Sequence, residues 1–432
     1  MKSSSPLTIL HLMPYLPTPP HFGGAMRMFH LLKHLHQRYQ VYVIAYGDHG
    51  DEDEFYQEFP ALKDRSLILR RPDNGRRIRL RQLQAFLSDH SYWYTKTFSD
   101  QMQMAIDQVT TSIHFDVILF EFPMLGQFRF PKSATRIMDS HNVEYHLLQR
   151  MSAVKQDLFR KLFYQRESQK IHREERQIAG SQDALFVTSA ADAALFEELV
   201  PETPKIIIPN GVDTDFYRPF NGKSSSRKET TSTLVFSGMM GYVPNYDGIM
   251  YFIEEIFPLI QQKRPSVRLR VVGKNPPEIL KRKKNSQIEI TGFVEDVRPY
   301  IHESDLYVVP LRMGGGTRLK ILQAMAMKIP IVSTSIGAEG LDAIDGDHLL
   351  LRDHPKEFAE GVFELIENVS RRHKMAEKAY QFVKEEYDWR KIGGRIDAAL
   401  SYLMNKKNGK LASEILKSSV EKSKLLNAAR LT

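Results

Sequence analysis

Short apolar runs rich in β-branched residues alternate with longer helical patterns through nearly the whole chain. This alternation is typical of βαβ units, in which helices connect the parallel strands of a sheet. The strands predicted in the first half are Leu7–Leu12, Val41–Ala45, Val117–Glu121, Arg136–Asp139, Ala184–Thr188 and Ile206–Ile208. Those predicted in the second half are Leu234–Ser237, Val267–Val272, Ile288–Thr291, Leu306–Val309, Ile331–Thr334 and His348–Leu351. The pattern predicts an α/β fold with two sheets.

The length of the chain favours two domains. A chain of 432 residues is too long for one ordinary hydrophobic core. The segment 219–233 is rich in Ser, Thr and Lys and cannot bury apolar surface, so it predicts the linker. We therefore predict a first domain over residues 1–218 and a second over 219–385. The charged segment His146–Ile178 has leucines spaced for one helix face and predicts a helix that covers the first sheet or contacts a partner.

The residue types that are missing exclude several classes of protein. The chain contains no cysteine, which excludes disulfides, thiolate metal sites and a cysteine nucleophile. The histidines are scattered without the spacing of a metal site, so we expect no metal and no cofactor. The apolar stretch Leu7–Met13 is too short for a signal peptide, and no run is long enough to span a membrane. We therefore expect a cytoplasmic protein.

The formal net charge of +8 is concentrated in two basic segments. One is Arg70–Arg81, and the other is the tail at 405–432, where Leu411, Ile415 and Leu416 form a partial helical stripe. Such segments predict peripheral contact with an anionic membrane on the cytoplasmic face, although a solvated terminus is an equal alternative for the tail. Nucleic acid is not an expected partner, because neither segment interleaves aromatic residues with its cations.

The stretch from Pro310 to Pro330 follows the predicted strand Leu306–Val309, which gives the order strand, glycine loop, helix. Gly314, Gly315 and Gly316 would let the backbone approach a ligand closely, and Thr317 is the predicted N-cap of a helix whose free amides would hold a phosphate. Arg318 and Lys320 then fall in the first helical turn, where cations are unfavourable unless an anion neutralises them. The arrangement favours a bound anion, and a glycine turn with surface cations is the alternative.

Helical spacing places Lys320, Gln323 and Met327 on one face of this helix. Leu319, Leu322 and Ala326 share another face, which is expected to pack on the sheet.

Two places in the first domain have the features of a ligand site. Gly23 and Gly24 stand between the first strand and a helix, where a glycine pair suits either close approach to phosphate or sugar, or a tight turn without a ligand. His141 lies just past the strand at Arg136–Asp139, and ligands of such folds gather at the carboxyl ends of strands. Glu121, at the end of another strand, is a weaker candidate.

Several of these segments together resemble the retaining glycosyltransferases of family 4, which have the GT-B fold of two facing Rossmann-like domains with a cleft between them. The stretch from Pro310 resembles their donor-site signature. The other matching segments, in the order of the chain, are Gly23-Gly24, Ile208–Asp213, Phe236–Asn245 with Gly238, Val271–Gly273 and Ile290–Val294. The resemblance implies that a helix at about 386–404 completes the first domain and that the backbone near Val294 holds the nucleotide base.

The resemblance also implies an activity and roles for individual residues. It implies transfer of a sugar from a nucleoside-diphosphate sugar to a glycan or lipid-linked acceptor, with retention of configuration and without a metal. His141 would contact the donor sugar, and Arg318 and Lys320 would stabilise the leaving diphosphate. A nucleotide-sugar epimerase of the same fold and a non-catalytic nucleotide-sugar-binding protein remain as alternatives.

The chain departs from the family pattern at several positions. Gly315 and Gln323 stand where many members have glutamates, and the loop after Phe236 lacks the Arg and Lys that many members carry. Gln323 can still hydrogen-bond a ribose through its amide, but it brings no charge. We therefore expect Arg318 and Lys320 to supply the positive charge for the diphosphate.

Overall fold

The computed structural model describes residues 6–20, 22–48, 50–71, 85–154, 158–220 and 232–407. The chain divides into two compact units. Unit 1 comprises Met1–Ile208 with Gly393–Thr432, and unit 2 comprises Pro209–Ile392. Each unit is built around its own parallel sheet.

Unit 1 contains a seven-stranded sheet in the order β3-β2-β1-β4-β5-β6-β7, and its neighbouring strands pair in parallel. The strands are β1 Thr8–Met13, β2 Gln40–Gly47, β3 Ser66–Arg70, β4 Val117–Glu121, β5 Thr135–Ser140, β6 Ala184–Val187 and β7 Lys205–Ile207. All strands predicted for the first half are confirmed within one or two residues. The edge strand β3 was missed, because its short apolar run ends at the first arginine of the basic segment.

Helices connect and cover the strands of this sheet. They are α1 Gly23–Arg38, α2 Asp51–Glu58, α3 Tyr92–Thr97, α4 Asp100–Ser112, α5 Glu144–Val154, α6 Leu158–Gly180 and α7 Ala190–Leu199. The prediction of a single helix over His146–Ile178 is therefore wrong, because the segment contributes to two helices, α5 and α6. The leucines of the two helices also differ in burial. Leu147 and Leu148 of α5 are buried, whereas Leu158 and Leu162 of α6 are exposed.

Unit 2 contains a six-stranded sheet in the order β10-β9-β8-β11-β12-β13, again with parallel pairs. The strands are β8 Thr233–Ser237, β9 Arg268–Val272, β10 Ile288–Gly292, β11 Leu306–Val309, β12 Ile331–Ser333 and β13 Leu350–Leu351. Its helices are α8 Val243–Tyr251, α9 Phe257–Lys263, α10 Glu278–Lys281, α11 Arg298–His302, α12 Leu319–Ala326, α13 Pro355–Glu367 and α14 Val369–Glu386. A π-helical turn at Phe252–Ile256 joins α8 to α9. The predicted strands of the second half are confirmed.

Both sheets owe their core to strands that are apolar on both faces. Ile9, Leu10 and Leu12 of β1 are fully buried, as are Val308 and Val309 of β11. Such strands require helices on each side of the sheet. In each unit the strand order reverses direction at one place, between β1 and β4 in unit 1 and between β8 and β11 in unit 2. Ligands of open parallel sheets bind at the carboxyl ends of the strands at this point.

The division of the chain differs from the predicted boundary after residue 218. Val212 pairs with Asp388 in an isolated parallel bridge, and its amide donates to the Tyr387 carbonyl over 2.8 Å. These contacts place the segment after Pro209 in unit 2. Most of the predicted linker, residues 221–231, lies outside the described residues.

The last described helix is α15, Trp389–Lys407. Its residues from Gly393 onward belong to unit 1. Asp397 on this helix accepts hydrogen bonds from His34 at 2.9 Å and Tyr39 at 2.8 Å. Both basic segments lie mostly outside the described part of the chain, at 72–84 and 408–432. Among the described residues, no helix is both long and apolar enough to cross a membrane.

Candidate functional site

Two glycine loops of unit 2 follow the neighbouring strands β8 and β11. Gly238, directly after β8, has a φ of 152°. Gly314 and Gly316, after β11, have φ values of 144° and 67°. These positive φ values favour glycine, because a side chain would clash with the adjoining backbone. The predicted glycine loops are therefore real turns, and both lie at the point where the strand order reverses.

The Gly238 loop is held by a second glycine turn after β9. Gly273 has a φ of 145°, and a Cβ there would lie 1.8 Å from the Gly238 carbonyl oxygen. The Gly238 amide donates to the Val272 carbonyl over 3.0 Å. Glycine at position 273 thus allows the two backbones to approach closely, and this contact positions the loop after β8.

Lys320, in the first turn of α12, links the two glycine loops. Its Nζ donates to Asn245 Oδ1 over 2.8 Å and lies 4.0 Å from the centroid of the Phe236 ring. A Cβ on Gly238 would lie 3.1 Å from this Nζ. Within the described part of the chain, no ion pair joins Lys320 to a carboxylate. Burial, followed by the charge of Arg318, lowers the pKa of Lys320 well below its usual range.

Arg318 lies across its own loop. Its Nη1 donates to the carbonyl oxygens of Gly315 and Gly316, the latter over 3.1 Å. A Cβ on Gly314 would lie 2.3 Å from Nη2, so a side chain at this position would displace the guanidinium. Arg318 is also the N-cap residue of α12. The predicted cap at Thr317 is therefore wrong, and Arg318 precedes the first turn because the helix begins one residue later than expected.

The remaining predictions for α12 hold in part. Gln323 donates through Nε2 to the Tyr217 hydroxyl over 3.0 Å, and burial raises the pKa of Tyr217 to about 12. Leu322 and Ala326 are buried against the core as expected, and Leu319 is partly buried against it. Met327 is buried and is the C-cap residue of the helix, where its amide donates to the Gln323 carbonyl.

Val294 is partly buried and packs against the core of unit 2. It follows β10 by two residues, at the end of the sheet where the glycine loops lie.

In unit 1, the structure brings the glycine pair and His141 together. Helix α1 begins at Gly23. A Cβ on Gly24 would lie 2.5 Å from the Tyr15 hydroxyl and 3.4 Å from Nδ1 of His141. A side chain at position 24 would have to displace the Tyr15 hydroxyl and would contact His141. The Nδ1 edge of His141 therefore faces the beginning of α1.

Glu121 connects two histidines in the interior of unit 1. Its Oε1 lies 2.5 Å from Nε2 of His11, and its Oε2 lies 2.6 Å from Nε2 of His141. Glu121 and His11 are fully buried, and His141 is 5% exposed. Glu121 was the weaker candidate in the sequence, but the structure places it in direct contact with His141.

Asp139 and Arg27 form a fully buried ion pair beside this network. Arg27 donates through Nε to Asp139 Oδ2 over 2.7 Å and through Nη2 to Oδ1 over 2.5 Å. Burial alone would raise the pKa of Asp139, but the Arg27 charge holds it well below its usual range. Arg27 Nη1 also donates to the Ile208 carbonyl over 2.8 Å, which ties α1 to the end of β7.

His141 lies between the two carboxylates. Its Nε2 is 3.4 Å from Asp139 Oδ2 as well as 2.6 Å from Glu121. Burial by itself would lower the pKa of His141, but the hydrogen bonds with Asp139 and Glu121 raise it above its usual value. Phe122 stacks at a tilt on the imidazole, with ring centroids 3.9 Å apart, and has a φ of 64°. Such a φ is strained for a bulky residue, and strain of this kind clusters at functional sites.

Ligand atoms of Glu121, Asp139 and His141 lie within 4.8 Å of one another, a spacing that could suit a metal. Arg27 already engages both oxygens of Asp139, and the two histidines engage both oxygens of Glu121. The three residues are therefore part of a hydrogen-bonded network.

Sequence reasoning missed His11 and Arg27. His11 interrupts the apolar strand β1, and Arg27 lies on the face of α1 that carries Met28, Leu31 and Leu32. Charged or titratable residues at such buried positions need a partner. This mismatch between residue type and position is the signal that could have identified both.

Comparison with protein families gives two matches. Residues 23–216 match the family described as Glycosyltransferase Family 4, and residues 231–368 match the one described as Glycosyl transferases group 1. Together the two matched segments include most of the described residues of units 1 and 2.

Two curated relatives are similar over part of their length. An uncharacterized 44.6 kDa protein in the cps region of Klebsiella pneumoniae is 23% identical over 266 residues, which are 60% of this chain and 66% of the relative. An uncharacterized glycosyltransferase of Methanocaldococcus jannaschii is 29% identical over 218 residues, which are 48% of this chain and 54% of the relative. The chain thus spans between about half and two thirds of these relatives.

Solved structures show the same fold at low sequence identity. Sucrose-phosphate synthase from Thermosynechococcus elongatus has a TM-score of 0.67 at 14% identity, with 93% of this chain and 100% of that chain covered. HepE of Anabaena in complex with UDP has a TM-score of 0.65 at 15% identity, with 91% and 100% covered. WaaG, a glycosyltransferase involved in lipopolysaccharide biosynthesis, has a TM-score of 0.64 at 14% identity, with 91% and 99% covered.

Proposed function

Because this chain belongs to the GT-B glycosyltransferases, we propose that it transfers a sugar from a nucleoside-diphosphate sugar to a glycan or lipid-linked acceptor with retention of configuration. The observation that carries the proposal is the environment of the Lys320 ammonium group. Its ammonium lies among Asn245, Phe236 and Gly238 without a carboxylate partner among the described residues. A partly buried cation without an ion-pair partner favours a counter-charge, and a diphosphate at the glycine loops would supply it.

The neighbouring structures give this proposal a chemical class of donor. HepE of Anabaena forms complexes with UDP and with UDP-glucose. In this chain the loops at Gly238 and Gly314–Gly316 would hold the diphosphate, Gln323 the ribose and the backbone at Val294 the base.

Sugar transfer requires stabilisation of negative charge on the leaving diphosphate. In our proposal Lys320 provides most of it, because its ammonium already lies at the Gly238 loop. Arg318 would contribute from its place across the Gly314 loop, either in its present contacts or after exchanging its loop carbonyls for phosphate oxygens. His141 of unit 1 would contact the donor sugar. Preorganised groups of this kind are each worth about 3–4 kcal/mol in the transition state.

A panel of nucleotide sugars tests the proposal directly. Thermal shift measurements on the full chain identify which donor raises Tm, and an assay of nucleoside diphosphate release with that donor then measures turnover. We expect a donor that both binds and is consumed. Donor binding without release of the diphosphate, with or without candidate acceptors, would contradict a transferase and would indicate a binding protein.

Product analysis separates transfer from epimerisation. The family match favours transfer, and a transferase should need an acceptor for rapid consumption of the donor. An epimerase would convert the donor alone, so formation of a 2-epimer in the absence of an acceptor, either still linked to the nucleotide or released with nucleoside diphosphate by water, would overturn our assignment.

We further propose peripheral contact with an anionic membrane through the basic segment Arg70–Arg81. The described residues that follow this segment expose Leu87 and Trp93, and the Lys96 ammonium lies 5.8 Å from the Trp93 ring centroid. Apolar and cationic side chains of this kind suit the boundary between headgroups and acyl chains. The protein should co-sediment with phosphatidylglycerol vesicles and not with phosphatidylcholine vesicles, and the variant Trp93→Ser should weaken the binding. Equal sedimentation with both lipids would contradict the proposal.

A further inference from the structure

The network around Glu121 is more elaborate than contact with a sugar requires. One carboxylate bridges His11 and His141 through its two oxygens, over 2.5 and 2.6 Å. All three residues belong to unit 1, and two of them are completely shielded from water. A buried network with this degree of pairing specifies the protonation and orientation of its members.

The geometry determines which nitrogen of His141 carries a proton toward the network. Nε2 lies between Glu121 Oε2 and Asp139 Oδ2, and both are carboxylate oxygens that only accept hydrogen bonds when ionised. Nε2 must therefore be protonated. The other nitrogen, Nδ1, faces Gly24 at the beginning of α1.

The charges in the network then determine the state of Nδ1. Asp139 and Glu121 contribute two negative charges, and Arg27 contributes one positive charge. Nδ1 of His11 is buried without a hydrogen-bond partner among the described residues. A second proton on His11 would bury an N–H without an acceptor, which is unfavourable, so His11 is the neutral member that donates through Nε2. The balancing charge is left to His141.

We infer that Glu121 is a positioning residue that holds His141 as an imidazolium with its Nδ1–H directed toward Gly24, and that His11 fixes Glu121 in this orientation. The inference deepens the proposed function, since it rests on His141 as the residue that contacts the donor sugar. His141 is then a charged hydrogen-bond donor to an electron-rich oxygen, and it has no lone pair with which to act as a general base.

Groups from several elements face or influence this imidazole. They are Glu121 from β4, Asp139 from β5, Arg27 from α1 through Asp139, His11 from β1 through Glu121, Glu144 at the start of α5 and the Tyr15 hydroxyl beside Gly24. The amino terminus of α1 contributes the positive end of its dipole and opposes the charge on His141. The two carboxylates lie 2.6 and 3.4 Å from Nε2, and their charge-assisted hydrogen bonds outweigh the effect of the helix dipole on His141.

The direct test is an imidazole titration of His141 by NMR in the full chain. Nitrogen chemical shifts, assigned with His141→Gln, report the protonation of Nδ1 and Nε2 separately. We expect the wild-type imidazole to remain doubly protonated at pH 7. In Glu121→Gln, which keeps the shape but removes the charge, deprotonation should move to lower pH by more than one pH unit. A matched control is Asp397→Asn, which alters the pair of His34 and Asp397 in the same unit and should leave His141 unchanged.

Two results would overturn the inference. One is a neutral His141 at pH 7 in the wild-type protein, which needs no variant and therefore decides the question even if Glu121→Gln fails to fold. The other is an unchanged His141 titration in a folded Glu121→Gln variant.

Turnover gives an independent readout once a donor is known. The alkaline limb of the kcat/KM profile should move to lower pH in Glu121→Gln, with a loss of at least tenfold at pH 8.5 and only a few-fold at pH 6. A merely structural role would lower activity equally at all pH values, and that result would contradict the inference. If no donor is consumed at all, the proposed function fails, but the NMR titration still tests the state of His141.

Discussion

Replacing Lys320 with methionine should remove catalysis while leaving the fold intact. Methionine keeps most of the length and apolar surface of the side chain but carries no charge. The ammonium of Lys320 donates to the neutral Asn245 oxygen and makes no ion pair among the described residues, so its removal orphans no carboxylate. The loss of this hydrogen bond should cost about 1 kcal/mol, or roughly 2–4 °C in Tm.

The expected loss of rate follows from the charge that the variant removes. A unit charge about 4 Å from a developing negative charge contributes about 4 kcal/mol at an effective dielectric constant of about 20. The same magnitude, about 3–4 kcal/mol, is typical for one preorganised group that stabilises a developing anion. Since about 1.4 kcal/mol corresponds to a tenfold change, Lys320→Met should lower turnover roughly 10²- to 10³-fold.

The assay is release of nucleoside diphosphate from the donor identified by thermal shift, measured at saturating donor. Lys378→Met is the matched control, because Lys378 forms an exposed ion pair with Asp347 in the same unit. The control should keep the wild-type rate and Tm. Turnover of Lys320→Met within tenfold of wild type, in a protein with normal Tm, would refute the role of Lys320 and the argument from its missing counter-charge.

Four further predictions concern pH, packing and metals. The affinity for the donor should fall as pH rises, because the pKa of Lys320 is lowered in the free protein and a bound diphosphate needs the charged form of this side chain. Calorimetry of donor binding in buffers of different ionisation enthalpy should therefore detect proton uptake in the wild type and none in Lys320→Met. Gly273→Ala should abolish donor binding and lower Tm, because the new Cβ would lie 1.8 Å from the Gly238 carbonyl oxygen. The control is Gly346→Ala, since Gly346 has a positive φ but open space around it. This control should lower the free energy of unfolding, measured with denaturant, by only about 1–2 kcal/mol. Burial and the charge of Glu144 raise the pKa of Glu175 to about 8, so its contribution to stability is complete below its unfolded pKa near 4.3 and is lost as pH rises through 8. The free energy of unfolding should therefore depend less on pH in Glu175→Gln than in wild type between pH 5 and 8, by about 1 kcal/mol per pH unit, and equal slopes would contradict this. Turnover should survive EDTA, and a loss that Mg²⁺ or Mn²⁺ restores would show that a metal takes part.

The strands and the glycine loops could be predicted because local sequence determines them. A strand that is buried on both faces must be apolar throughout, and a turn with positive φ selects glycine. Both features depend only on residues that are close together in the sequence. The sequence therefore predicted β1 and β11, and it indicated Gly314 from its own pattern and Gly238 through the family resemblance. The strand β3 was not predicted, because its apolar run within Ser66–Arg70 is short and ends at the first arginine of the basic segment.

Local sequence predicted the contacts of a side chain less well where several hydrogen-bond partners are possible. The sequence indicated that Arg318 and Lys320 lie at the start of a helix, but a one-residue shift of that start made Arg318 the N-cap. Its guanidinium donates instead to the carbonyl oxygens of Gly315 and Gly316 in the same loop. Lys320 reached Asn245 and the Phe236 ring, which are far away in the chain. The type of residue was thus predictable, but its direction was not.

By itself, the sequence determined the α/β class, the described strands other than β3, the positions of the glycine turns and His141 as a candidate site residue. Only the tertiary structure decided that Glu121 stands between His11 and His141 and that Arg27 pairs with Asp139. The physical reason is that a buried charge can be satisfied by any partner that folding brings within about 3 Å, whatever its distance along the chain. Periodicity and turn chemistry specify local backbone, whereas charge pairing in the interior depends on which strands become neighbours in the sheet.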